Sequence, residues 1–359
     1  MSWMDDEPVR GGYPTIDFLA LSGIERMQAA DKGFMPRPPI HHLFGLTPGR
    51  ASAESNEFTM PASPWLLTSA GVFTAGTAAL VADAPLGGAI FGSIGPGDIV
   101  ITSDLTMNYL RPSSPASGTL SARARPIAVG KRLGLSEAVI EDDTGALIAH
   151  ATTRCFIRHI DVPPDTELQP VEPQHYDTPD PHARPLTTGI VPPEVWTEKS
   201  FLEILDVISS GALPSAPFVE LFALSGPVAR EGYFETSMKA GPWYTSPAGT
   251  IYGGVLAYLA DSVLTGAIAT TAPANSVCAP LDLKVNFLRP AFPDGRVHVV
   301  KATVVHRGQT LALAECEILN GDNKVVVKAT SSATIIEGRN WAPAVLDDTP
   351  VIESPEVRA

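Results

Sequence analysis

The chain has 359 residues, 44% of them hydrophobic and 18% charged, with a net charge of −14 and an isoelectric point near 5.0. That is enough apolar side chain for two packed cores, and with no Lys/Arg run it argues against nucleic acid or an acidic membrane surface as a partner. Cys155, Cys278 and Cys316 have neither metal nor disulfide spacing, and the acidic start Met1–Glu7 is not a signal peptide, so a cytoplasmic protein is expected.

In chain order, Ile16, Leu19, Ile24 and Met27 recur at loose helical spacing, and a short strand is expected over 51–60. The segment Gly71–Ile90 is apolar all round and contains Asp83. With Pro85 and many Gly and Ala residues it reads as a helix buried on every side rather than a membrane span. β-patterned runs follow to about residue 157. Residues 161–193 then hold nine prolines and no apolar period, which predicts an extended, polyproline-like linker. Phe201, Leu202, Leu205 and Ile208 mark a new amphipathic helix, Val228–Met238 a strand, and Gly249–Ala269 a second buried helix containing Asp261. Four strand patterns close the series: Val277–Leu288, Arg296–His306, Thr310–Leu319 and Lys324–Ile336. Turns such as Arg307-Gly308 and Asn320-Gly321 suit antiparallel hairpins. The tail after Gly338 is polar and expected at the periphery.

These elements are one pattern written twice. Asp83 and Asp261 stand 178 positions apart, and the same offset carries Leu80–Ile90 onto Tyr258–Ile268 and Asp104–Pro112 onto Asp282–Pro290. It also carries Pro64-Trp65 onto Pro242-Trp243, without a gap from about Ser22 to Ile157. A repeat this long is a domain rather than a solenoid unit. Two α+β domains are predicted, 15–160 and 193–337, joined by the linker 161–192 and followed by the tail 338–359. In each, an antiparallel meander wraps its one apolar face around the buried helix.

The aspartates stand out on physical grounds. A carboxylate in an apolar helix costs several kcal/mol unless it is paired, hydrogen-bonded or protonated, and neither helix offers a cation. The blander reading is that each only bonds a partner across the interface between copies. Gly253 and Gly254 sit where a strand-like segment enters the second helix. Free N–H groups there suit a developing oxyanion, although glycine also permits tight helix packing. His306 and Arg307, like Lys131 and Arg132, lie at hairpin tips and are candidates for a phosphate contact, or are simply solvated. Pro64-Trp65 and Pro242-Trp243 are expected to anchor loops. His41-His42 has no acidic companions, so no metal or redox cofactor is expected, and no Gly-x-Ser-x-Gly elbow is present.

The order of elements, the run Ile251-Tyr252-Gly253-Gly254 followed by Asp261, the run Leu283–Pro290 and the turn His306-Arg307-Gly308 resemble the hotdog fold. More narrowly they resemble the PaaI-type acyl-CoA thioesterases, in which a His-Gly-Gly turn opens the central helix eight positions before an acid. Tyr252 stands where that family usually has His, and the first copy reads Thr74-Ala75-Gly76. The resemblance implies an intramolecular pseudo-dimer with joined sheets, adjacent central helices and two composite sites. One would join Asp83 to Tyr252, Gly253 and Gly254, with Thr102 supplying a hydroxyl. The other would join Asp261 to Thr74, Ala75 and Gly76, with Pro280 at the hydroxyl position. Unequal sites are expected, with Asp83's the better kept. The activity implied is hydrolysis of an acyl-CoA by an Asp acting as base or nucleophile, with CoA present only as part of the substrate. Pairing of pseudo-dimers into a homo-oligomer is a further expectation. A hotdog hydratase would need a histidine in the central helix, and none is there; a non-catalytic acyl-binding protein stays open.

Overall fold

The computed structural model describes residues 3–162, 168–172 and 174–339. The first copy holds helices α1 (Trp3–Asp6), α2 (Gly23–Asp31), α3 (Pro39–Phe44) and α4 (Thr77–Phe91). Its strands are β1 (Thr47–Ala51), β2 (Asn56–Pro61), β3 (Asp98–Tyr109), β4 (Thr119–Val129), β5 (Leu133–Glu141) and β6 (Leu147–His159). The second holds α5 (Pro193–Glu198), α6 (Phe201–Ser209), α7 (Pro217–Leu221) and α8 (Gly253–Ala269). Its strands are β7 (Val228–Arg230), β8 (Tyr233–Lys239), β9 (Ser276–Pro280), β10 (Asp282–Phe287), β11 (Val297–Arg307), β12 (Leu311–Leu319) and β13 (Val325–Glu337).

All strands join one 13-stranded sheet in the order β1-β2-β4-β5-β6-β3-β10-β13-β12-β11-β8-β7, with β9 also on β13. The seam between copies is β3 against β10, antiparallel, with Asp104 opposite Asn286 and Asn108 opposite Asp282. Because equivalent runs face each other, the seam is a pseudo-twofold axis. Along each strand the residues facing in are apolar, as in Leu105 and Met107 of β3 or Leu283 and Val285 of β10. That row can be covered only by α4 and α8, which lie side by side within the curl of the sheet. This is sheet wrapped around helix twice, the tandem hotdog.

Three features differ from the sequence reading. Each expected early strand is a two-stranded hairpin, β1–β2 and β7–β8, because residues 52–55 and 231–232 turn the chain back. The long run 277–288 is split into β9 and β10 at Leu281, where pairing with β13 slips by one residue; the first copy has its matching slip at Ser103, inside β3. The proline-rich segment is extended but tied down in its described part. Trp65 Nε1 donates to the Arg184 carbonyl at 2.8 Å, Val191 N–H to Ser69 at 2.9 Å, and Arg10 pairs with Asp180 at 2.9 Å. Most of the polar tail, from residue 340, lies outside the described residues.

Candidate active site

The helix starts and the aspartates meet across the pseudo-twofold. Gly254 N–H donates to Asp83 Oδ2 at 3.0 Å, and Gly76 N–H donates to Asp261 Oδ2 at 2.8 Å. Glycine is required for this approach. A Cβ on Gly76 would stand 2.8 Å from the Cβ of Asp261, and one on Gly254 would stand 2.9 Å from the Ala79 carbonyl oxygen. Each helix therefore sets its first N–H groups on the other's carboxylate, where the positive end of the dipole favours a negative charge. Burial nevertheless wins in both: it raises each pKa to about 6, against the lowering effect of the N–H groups at Asp83 and, at Asp261, of the Thr74 hydroxyl first and then the Gly76 N–H. One oxygen of each, Oδ1, has no hydrogen-bond partner.

The third partner makes the sites unequal. Thr74 donates its hydroxyl to Asp261 Oδ2. The equivalent residue, Tyr252, turns away from Asp83 and inserts into α4. Its Oη accepts from Ala84 N–H at 2.8 Å and donates to the Leu80 carbonyl at 2.9 Å, replacing the bond those two groups would make in an unbroken helix. Pro85 follows at once and removes the next donor, so the phenol mends a weak point in the helix.

A cavity of about 870 Å³ distinguishes the sites further. Its lining includes Thr74, Ala75 and Tyr109 of the first copy, and Ser262, Val263, Gly266 and Ala269 along one face of α8. Asp261 is fully buried and does not line it, but Thr74, whose hydroxyl bonds Asp261, and its chain neighbour Ser262 do. None of Asp83, Thr102, Tyr252, Gly253 or Gly254 lines it. The cavity thus lies on the Asp261 side of the pseudo-twofold, whereas the match of residues to the motif favours the Asp83 side.

Two positions explain why the copies differ. Ser22 and Ser200 cap α2 and α6 in matching capping boxes, so Gly23 and Phe201 occupy the same place. Gly23 lies so close to the Phe91 carbonyl oxygen that a Cβ would be 1.9 Å from it, which seats α2 on the end of α4. Phe201 cannot approach α8 in that way. It stacks instead between Trp196 and Phe234, with centroids at 6.2 and 5.9 Å, and forms a wall of the cavity. Likewise Phe234 covers Gly266 where the polar Asn56 covers Gly88.

The other sequence candidates are scattered. Thr102 lies beside Cys155, whose Sγ is 4.0 Å from its hydroxyl and whose pKa is pushed up to about 12 by burial, with a smaller push from nearby Asp83. Gly253 packs on Asp83, where a Cβ would stand 2.8 Å from Oδ2. His306 is exposed. Arg307 bonds the carbonyls of Gly308 and Gln309 and lies near the cavity-lining Cys278. Trp65 and Trp243 are buried anchors, and His42 bonds Asp180 at 3.0 Å. Sequence reasoning gave no role to Tyr109. Its phenol lies by Asp261 without a normal hydrogen bond to it, and burial, reinforced by that carboxylate, raises its pKa well above the usual phenol value. The signal was present: Phe287 is its counterpart in an otherwise matching run.

The wrapped helices, the shared sheet and the reciprocal carboxylate–turn pairs define a double-hotdog protein with two interface sites. The thioesterase superfamily profile matches residues 72–149 and 248–327, so each copy carries a stretch that matches that superfamily. Acyl-coenzyme A thioesterase 13 of Mus musculus is 32% identical over 106 residues, 29% of this chain and 66% of the relative, so less than two thirds of that relative is spanned. Among solved structures, the tesB protein of Mycobacterium avium subs paratuberculosis has a TM-score of 0.51 at 14% identity, covering 83% of this chain and 98% of that one. A hot dog fold protein of Alicyclobacillus acidocaldarius has a TM-score of 0.50 at 14% identity, over 84% and 98%. At that identity the two structures support the fold alone. No helix among the described residues is long and apolar enough to cross a membrane.

Proposed function

We propose that the chain hydrolyses the thioester of an acyl-CoA to the free acid and CoA, at the Asp261 site. The observation that carries this reading is a large, mainly apolar cavity lined by Thr74, whose hydroxyl bonds the buried carboxylate of Asp261 and leaves the other carboxylate oxygen without a bond of normal geometry. Thr74 and Gly76 hold Oδ2, which fixes the carboxylate and leaves Oδ1 to take a proton from water. A pKa of about 6 suits a base working near neutral pH. Water so activated attacks the thioester carbon, and the acyl group extends along α8 past Val263 and Ala269 toward Phe201 and Phe234. Asp83 bonds its helix start in the same way but stands on the other side of the pseudo-twofold from this cavity, and serves to join the two copies.

Thiol release should be followed over saturated acyl-CoAs of increasing length, with wild type and Ala269→Phe. The added ring fills the cavity, so KM for long chains should rise by an order of magnitude or more while acetyl-CoA is little affected. Unchanged long-chain kinetics would remove the acyl group from this cavity. Tight acyl-CoA binding with no thiol release from any substrate would favour a non-catalytic acyl-binding protein.

A further inference from the structure

Hydrolysis at Asp261 needs a donor for the thioester oxygen, and the turn's Gly76 N–H is already engaged. It holds Oδ2 of the carboxylate at 2.8 Å, and the Thr74 hydroxyl holds the same atom. We propose that the Tyr109 hydroxyl donates the hydrogen bond that polarises the thioester carbonyl and steadies the oxyanion. This rests on the reading of Asp261 as the base.

Three observations carry it. Tyr109 lines the cavity together with Thr74 and Ala75, at the end nearest Asp261. Its Oη and Asp261 Oδ1 are both buried without a hydrogen bond of normal geometry, and the two groups are near enough for the phenol to help lower the carboxylate's pKa, so a strained pair of polar groups lies by the cavity. A buried phenol with no acceptor is costly, and the cost is relieved when a ligand supplies the oxygen. Third, the residue 178 positions on is Phe287, so the hydroxyl is present only in the site that has the cavity. Burial and the neighbouring Asp261 and Asp282 also keep the phenol neutral, which makes it a donor and not a second base.

The atoms balance without a further reactant. Water oxygen bonds the carbonyl carbon as its proton passes to Asp261 Oδ1, and the carbonyl electron pair moves to the oxygen facing Tyr109. Collapse of that intermediate breaks the carbon–sulfur bond, and the departing CoA sulfur takes the proton from Asp261.

Tyr109→Phe keeps the ring and removes the donor. The kcat should fall about 10²–10³-fold, the usual loss for one oxyanion donor, with KM changed less than about threefold. A second readout is the carbonyl stretch of bound, ¹³C-labelled lauroyl-CoA ketone analogue, in which CH₂ replaces sulfur. It should be lowered in wild type, return toward the free value in Tyr109→Phe, and stay lowered in Asp261→Asn. Wild-type kcat in Tyr109→Phe would overturn the proposal and leave the backbone, for example Ala75 N–H, as the donor. A reduced kcat with an unmoved carbonyl stretch would overturn it too, since the hydroxyl would then be structural. If Asp261→Asn stays active while Tyr109→Phe does not, the base is wrong and the donor stands.

Discussion

Tyr252 should be worth more to stability than to turnover. Its phenol bridges Ala84 N–H and the Leu80 carbonyl at 2.8 and 2.9 Å, in a helix that has already lost the next donor to Pro85. Tyr252→Phe keeps the ring and leaves both backbone groups without that partner. Each orphaned group costs about 1–3 kcal/mol, so the loss is about 2–6 kcal/mol if α4 stays open and under about 1 kcal/mol if it closes its own bond. The surroundings favour the larger figure, because Leu80 is fully buried and even a Cβ added to Gly254 would stand only 3.1 Å from its Cα, which leaves α4 little room to shift. Denaturant melts give the free energy, and thiol release on the same samples gives turnover. A lowered melting midpoint with kcat within twofold is expected. An unchanged melt with kcat lost would refute the reasoning and put Tyr252 in the chemistry.

Other consequences follow from the titrating groups. The Asp83 pKa is raised by burial from 3.8 to about 6, so the stability its neutral form contributes is present below 3.8 and lost as pH rises through 6. Asp83→Asn, compared with wild type in melts from pH 4 to 8, should therefore gain relative stability by up to about 3 kcal/mol; a difference that does not change with pH would contradict this. If Asp261 is the base, kcat/KM should climb about tenfold per pH unit below its pKa of about 6 and level off above it, whereas a flat profile from pH 4.5 to 8 would argue against a titrating carboxylate. Burial opposes ionisation of Asp180, but bonds from His42 and Arg10 outweigh it and hold its pKa near about 2, so its stabilisation is present above the usual Asp value and lost as pH falls through 2. Asp180→Ala should destabilise by about 2–4 kcal/mol at pH 7, since it strips a partner from buried Arg10; a smaller loss would mean that Glu7 suffices.

The repeat made most of the fold legible. Strict spacing between two apolar helices and two matching strand runs implies two equal units, and the units' single apolar faces require the helices inside. The Gly-to-Asp relation was also readable, because only glycine permits the backbone approach seen at Gly76 and Gly254. The position of the cavity was not. It depends on Gly23 against Phe201 and Asn56 against Phe234, whose effect comes from how closely an outer helix or strand can reach the central one, and a sequence pattern does not contain that distance. The bonds of Tyr252 were hidden for a related reason: its place in the motif suggests a ligand contact, and only the folded chain shows its hydroxyl reaching into α4. The proline-rich segment reads as an extended linker in the sequence, which does not show its tethers because they run through Arg10, Trp65 and Ser69, far away along the chain.

Turnover of Asp261→Asn beside Asp83→Asn, on the best wild-type acyl-CoA, tests the central claim most directly. Asp261→Asn should lose about 10²–10⁴-fold in kcat, the range for a positioned acid or base, while Asp83→Asn stays within about threefold of wild type. The reverse pattern would place the reaction at the Asp83 site and contradict the assignment made from the cavity.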